Sequence, residues 1–115
     1  MDLKIVNPLV SKNMIQKRII GDVAIFSFEN IERINVKNAN RIKIKVLRSI
    51  VNPKIRNILI DLKGLEFIDT YGAQVLVTLR KFAGRKQTKF VLKNVSPDFY
   101  EIIDLLKIQN DFHII

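Results

Sequence analysis

The spacing of hydrophobic and polar positions changes period several times along the chain, and each change predicts an element. Residues Met14 to Ile20 and Val23 to Phe28 are rich in β-branched and aromatic side chains, with Gly21-Asp22 between them. Glycine at the first central position suits a type II′ turn, so the two runs predict an antiparallel hairpin. From about Val36 to Val51 the period shifts to 3.6, with Val36, Ala39, Ile42, Val46, Leu47 and Ile50 on one arc and Pro53 helping to end the helix. Asn57 to Asp61 is a short apolar run bounded by polar residues, the signature of a central strand buried on both faces. After a loop holding Gly64, Tyr71 to Ala83 sets Val75, Leu76, Leu79, Phe82 and Ala83 on one helical face, and Gly84 stands where a helix would stop. Lys89 to Lys93 predicts another strand. Ser96-Pro97, a good N-cap and first-turn pair, opens a helix with Phe99, Ile102, Ile103 and Leu106 inward. Phe112 to Ile115 predicts a last short strand.

The order is β-β-α-β-α-β-α-(β). Strands joined through helices are parallel neighbours, so the pattern predicts an α/β fold: a mixed four- to five-stranded sheet, antiparallel in its first hairpin and parallel afterwards, covered by three or more helices. Residues 1–13, weakly patterned and broken by Pro8, read as an N-terminal arm or edge strand, and residues 14–115 as one domain.

Composition agrees with a packed globular chain: 48% of its 115 residues are hydrophobic and 27% charged. Cysteine is absent, which excludes disulfides, thiolate nucleophiles and cysteine metal sites together. No apolar run approaches the ~20 residues that span a bilayer, and no segment resembles a signal peptide, so a cytoplasmic protein is expected. The net charge of +9 is unevenly placed. Residues 81–95 hold five cations and no acid, whereas 96–115 hold four acids and one lysine.

The most informative stretch is Ile58 to Leu79, ILIDLKGLEFIDTYGAQVLVTL, where a strand and a short loop lead into Asp69-Thr70-Tyr71-Gly72 at the mouth of an amphipathic helix. A hydroxyl there has two physical readings. In one, Asp69 or Thr70 is the N-cap, accepting a backbone N–H for about 1 kcal/mol. In the other, Thr70 is a phosphoacceptor at an accessible junction. A phosphate adds roughly −1.5 to −2 charge beside Asp69, which a helix N-terminus tolerates and an apolar or anionic partner surface does not.

This pattern, strand-D-L-x-x-L-x-F-[IM]-D-[ST]-x-G before an amphipathic helix, resembles the STAS domain, and the likeness runs from about Met14 to the end of the chain. The resemblance is to stand-alone anti-sigma factor antagonists. It implies a non-catalytic switch without cofactors that binds an anti-sigma factor acting as a serine kinase and is released when Thr70 is phosphorylated. A phosphatase is a further implied partner. The partner-binding set it implies is Asp69, Thr70, Tyr71, Gly72, Gln74 and Asn35, in a monomer or weak dimer. Three departures stand out: Tyr71 replaces a frequent second Ser or Thr, Gln74 a small apolar residue, and the chain is basic where such proteins are commonly acidic.

Other readings compete. Lys37, Arg41, Lys45 and Arg48 follow i, i+4, i+8, i+11 as one basic stripe opposite the apolar arc, with Ile44 and Val51 on its flanks. The stripe reads as a solvated helix face, or as a dock for an acidic protein surface or a membrane surface. Direct nucleic-acid binding is not expected, because no aromatic residue interleaves it. The same fold also suits a constitutive, unphosphorylated subunit of a bacterial lipid-transport ATPase complex or a signalling scaffold, in which Thr70 merely supports a helix. A two-component receiver with Asp61 as acyl-phosphate acceptor is a third class, but the chain opens with a hairpin where a receiver needs a βα unit. Catalysis and metal binding have little support: His113 is the lone histidine, Asp61, Glu66 and Asp69 read as loop and cap residues, and no Gly-rich phosphate loop occurs.

Overall fold

The computed structural model describes residues 14–115. The assignment of residues 1–13 to an arm or edge strand lies outside the described residues. Strand β1 (Met14–Ile20) pairs antiparallel with β2 (Val23–Glu29), with Ile20 opposite Val23. Gly21 alone takes a positive φ, 61°, at the connection, as a type II′ turn requires. The chain continues through β3 (Arg33–Ile34), α1 (Ala39–Ile50), β4 (Asn57–Asp61), β5 (Phe67–Ile68), α2 (Thr70–Arg85), β6 (Lys89–Lys93) and α3 (Pro97–Leu105), then a 3-10 turn (Gln109–Asp111) and β7 (His113–Ile114).

The main sheet has five strands in the order β1-β2-β4-β6-β7, antiparallel at β1-β2 and parallel elsewhere, with β4 at its centre. One face carries the core. Ala24, Phe26, Ile58, Ile60, Phe90 and Leu92 point toward the helices and are buried, joined by Ile42 and Val46 of α1, Leu76 and Leu79 of α2, and Phe99 and Ile103 of α3. Burying one such large side chain contributes about 1.5–3 kcal/mol, so this shared layer is what holds the sheet and the helices together. Ile25, Leu59 and Val91, which point the other way, are only half-buried. The expectation that β4 is covered on both faces is therefore corrected: among the described residues the opposite face of the sheet keeps partial contact with solvent.

Three further details depart from the sequence pattern. A separate two-stranded parallel sheet pairs β3 with β5, Arg33 opposite Phe67 and Ile34 opposite Ile68. Two-residue strands are too short for any alternation to reveal. Val36, expected on the buried arc of the first helix, is 60% exposed, because Asn35 and Asn38 hold residues 35–38 in a turn and the helix begins only at Ala39.

Gly84, expected to end the second helix, lies within it. The stop comes three residues later, where Gln87 adopts φ 60°, Thr88 N–H donates to the Ala83 carbonyl (2.8 Å) and Gln87 N–H to that of Gly84 (3.0 Å). That is a Schellman ending with glutamine in the left-handed position usually held by glycine. The two residues are in each other's preferred places. Nothing lies within 4 Å of a Cβ added to Gly84. Gly84→Ala and Gln87→Gly are each expected to raise stability by roughly 0.5–1 kcal/mol, read as a higher urea midpoint at unchanged slope; a lower midpoint for either would contradict this account of the helix end.

Candidate functional site

Strands β3 and β5 run side by side, so the residues that follow them, Asn35 and Asp69, are delivered next to each other. Asp69 N–H donates to the Ile34 carbonyl at 3.0 Å, which extends the ladder by one bond. Asp69 is the N-cap of α2, with extended backbone (φ −89°, ψ 176°). Its Oδ1 accepts from Gly72 N–H at 2.7 Å, and its Oδ2 accepts from Val36 N–H at 3.3 Å. The carboxylate thus caps the helix and ties down the turn that leads into α1. Asn35 works on the same turn: its Oδ1 accepts from Lys37 N–H, while its own N–H donates to Asn38 Oδ1.

Because Asp69 is the cap, Thr70 is not. Thr70 is the first residue of α2 and is exposed. Its neighbour Tyr71 turns the other way, donating its hydroxyl to Asn40 Oδ1 on α1 at 2.8 Å. The phenol, a departure from the expected small hydroxyl residue, therefore belongs to the contact between α1 and α2. Gly72 is buried, and a Cβ there would stand 2.7 Å from Ile34 Cγ2, 2.9 Å from the Ile34 carbonyl oxygen and 3.1 Å from Ile68 Cγ1. Only glycine lets α2 start this close to β3.

Beside Thr70, on the side away from Tyr71, α2 and the end of α3 enclose a groove of about 390 Å³ lined by Thr70, Ala73, Gln74, Val77, Leu106 and Ile108, among others. Five of the expected partner-binding residues, Asn35, Asp69, Thr70, Tyr71 and Gly72, thus meet at one junction, and Gln74 lines the adjoining groove. The sequence pattern did not single out Asn40, Leu106 or Ile108 for this site. Asn40 is reached only across the helix pair, and Leu106 and Ile108 belong to a distant part of the chain.

The other candidates lie elsewhere. Arg41, Lys45 and Arg48 are exposed on α1, with Lys37 exposed just before it, so the stripe is a solvent-facing side of the domain. Asp61 closes β4, and its Oδ1 accepts from Asn94 Nδ2 at 2.9 Å and from Lys63 N–H at 3.1 Å, a loop-holding role. His113 is exposed on β7. Among the described residues no cluster of His, Asp and Glu is arranged to hold a metal ion, and no helix is long and apolar enough to cross a membrane.

Comparisons with known proteins bear on this arrangement. A family model for the STAS domain matches residues 14–115. No curated protein sequence matches the chain. Among solved structures, an anti-sigma-factor antagonist (STAS) domain protein from Planctomyces limnophilus superimposes with a TM-score of 0.77 at 25% identity, covering 88% of this chain and 87% of that one. A Thermotoga maritima protein described as an anti-sigma factor antagonist gives 0.76 at 25% identity, over 88% and 85%. The Bacillus cell fate determinant SpoIIAA in its phosphorylated form gives 0.67 at 13% identity, over 89% and 91%, a likeness that bears on the fold alone.

The geometry separates the two neighbours Asp69 and Thr70. Asp69→Ala, which loses the cap and the tie to Val36, is expected to cost about 1–2 kcal/mol in chemical denaturation, while Thr70→Ala stays within about 0.5 kcal/mol of wild type. Equal losses would mean that Thr70 carries structural weight. Gly72→Ala is expected to destabilise by roughly 1–3 kcal/mol, because the Ile34 backbone must move to admit the methyl group; an unchanged denaturation midpoint would show that the junction yields freely.

Proposed function

This chain belongs to the STAS domain family, and we propose that it is an anti-sigma factor antagonist, a protein-binding switch without a catalytic step of its own. It binds an anti-sigma factor that is also a serine kinase, and phosphorylation of Thr70 releases it. The observation that carries this reading is the division of labour at the helix start: Asp69 performs the capping, so the Thr70 hydroxyl stands exposed and free to react. The likeness, over 88% of this chain, to anti-sigma factor antagonists of two bacteria supports the same class of partner.

The release step follows from electrostatics. A phosphate on Thr70 sits where the positive end of α2 stabilises it locally by about 0.3–1 kcal/mol. It also sits one residue from the Asp69 carboxylate and beside the half-apolar groove lined by Ala73, Val77 and Leu106. A partner packed over that groove must strip water from a group carrying nearly two negative charges, and burying an unpaired charge costs several kcal/mol. The isolated domain keeps its fold while the complex loses its interface. Tyr71, bonded to Asn40 on the far side, leaves the approach to Thr70 open.

The test is phosphorylation and binding with the cognate anti-sigma kinase. With ATP, wild type is expected to take up one phosphate and Thr70→Ala none. Thr70→Glu should bind the kinase at least about tenfold more weakly, a difference of roughly 1.4 kcal/mol. Equal labelling of wild type and Thr70→Ala would remove Thr70 from the switch, and stable co-purification with a transport ATPase that kinase treatment leaves intact would favour a constitutive subunit.

A further inference from the structure

The parallel strands sort the charges of this domain into two unlike poles. At the carboxyl ends of the strands, around Thr70, the loops interleave Glu32, Asp61, Glu66 and Asp69 with lysines and arginines. At the amino ends three connections meet: the Gly21-Asp22 turn, the Val51–Arg56 loop after α1, and the Lys86–Thr88 loop after α2. Backbone bonds join them in series. Arg56 N–H donates to the Asp22 carbonyl at 2.8 Å, and Lys89 N–H donates to the Arg56 carbonyl at 3.0 Å. Among the described residues, these three connections and their immediate flanks carry Lys54, Arg56, Arg85, Lys86 and Lys89, all exposed, and one acid, Asp22.

Aliphatic tips stand among these cations. Ile20 at the hairpin is 56% exposed, Val51 at the end of α1 is 55% exposed, and Pro53 is exposed beside it. Between the second and third loops lies an open hollow of about 340 Å³, with Arg56 and Lys86 on its rim and Asn52 and Thr88 in its wall. Cations supply long-range attraction to an anionic layer, apolar tips gain by entering it, and a polar hollow flanked by two cations suits a phosphate headgroup. No aromatic side chain is exposed in these loops, so the base stacking that favours single-stranded nucleic acid is missing.

We propose that this pole is a docking surface for an anionic lipid bilayer, with a headgroup phosphate held in the hollow between Arg56 and Lys86. Attachment here leaves Thr70 and its groove, at the far ends of the same strands, facing away from the lipid. β4 alone separates the two poles by about 16 Å of extended chain. Docking and the switch therefore occupy opposite ends of the domain, and both can operate at once. The proposal stands apart from the assignment of Thr70.

The experiment is sedimentation with phosphatidylcholine vesicles, with and without phosphatidylglycerol, on the full chain. Wild type is expected to bind only the anionic vesicles and to be released as salt shortens the screening length from about 10 Å at 0.1 M to about 3 Å at 1 M. Each cation near the surface contributes roughly fivefold, so Lys54→Glu/Arg56→Glu/Lys86→Glu is expected to weaken binding by about a hundredfold or more. Val51→Ser is expected to weaken it by up to about tenfold. Arg41→Glu/Lys45→Glu, on the side of the domain, should retain most of the binding, and circular dichroism confirms that each variant is folded. The salt titration of wild type needs no variant. No binding to anionic vesicles, a larger loss in the Arg41/Lys45 variant than in the triple variant, complete displacement by soluble glycerol phosphate, or tighter binding to duplex DNA than to vesicles would each overturn the proposal.

Discussion

Gly72 has no side chain because Ile34 already fills the space that one would need. That close approach sets the start of α2, and much of the rest of the domain is arranged around it. Two paired strands of two residues each have no stability of their own. They persist here because Ile34 and Ile68 are buried in the core, where β5 packs against α2 and α3. The Asp69 carboxylate then converts this packed contact into a directional one, reaching forward to Gly72 and back to Val36. A helix start that is held from both sides presents its first residue at a fixed angle. Thr70 is that residue, so its exposure is a consequence of buried apolar packing two residues away.

The sequence carried the large elements because each one has a period or a punctuation mark. Gly21-Asp22, Ser96-Pro97 and the alternation in β2 and β6 correspond to local preferences that the tertiary structure leaves unopposed. Asp69-Thr70-x-Gly72 was legible as a helix mouth for the same reason, although residue spacing left open whether Asp69 or Thr70 was the cap. Long-range geometry decided it: the backbone N–H of Val36, 33 positions away, uses the second oxygen of Asp69. The pairing of Tyr71 with Asn40 was equally out of reach, since neither residue has a pattern that points to the other.

Where the pattern misled, local preference had lost to a neighbour. Val36 has the right phase for the first helix, but Asn35 and Asn38 offer the backbone side-chain partners that favour a turn, and the helix starts one residue after them. Gly84 looks like a stop, yet α2 runs past it to Arg85, and Gln87 bears the left-handed backbone instead. The half-covered face of the central strand was hidden for a different reason. Leu59 is apolar whether or not a helix lies above it, so hydrophobicity alone cannot say how many layers a sheet will have.

Topology adds a property that no residue has by itself. Among strands that run parallel, as β2, β4, β6 and β7 do, loops entering the strands lie at one end and loops leaving them lie at the other. The +9 charge is spread over the sequence in several blocks, but the fold collects Lys54 and Arg56 from one connection and Arg85, Lys86 and Lys89 from another at a single pole. The acids that follow the strands fall at the opposite pole with Thr70. Cations gathered at one end and acids interleaved with cations at the other give the two ends of the domain different local charge, and Thr70 stands at the mixed end. A protein of the same composition in antiparallel order would mix the two ends and lose that separation, so the polarity of this domain follows from the direction of its strands as much as from the number of its lysines.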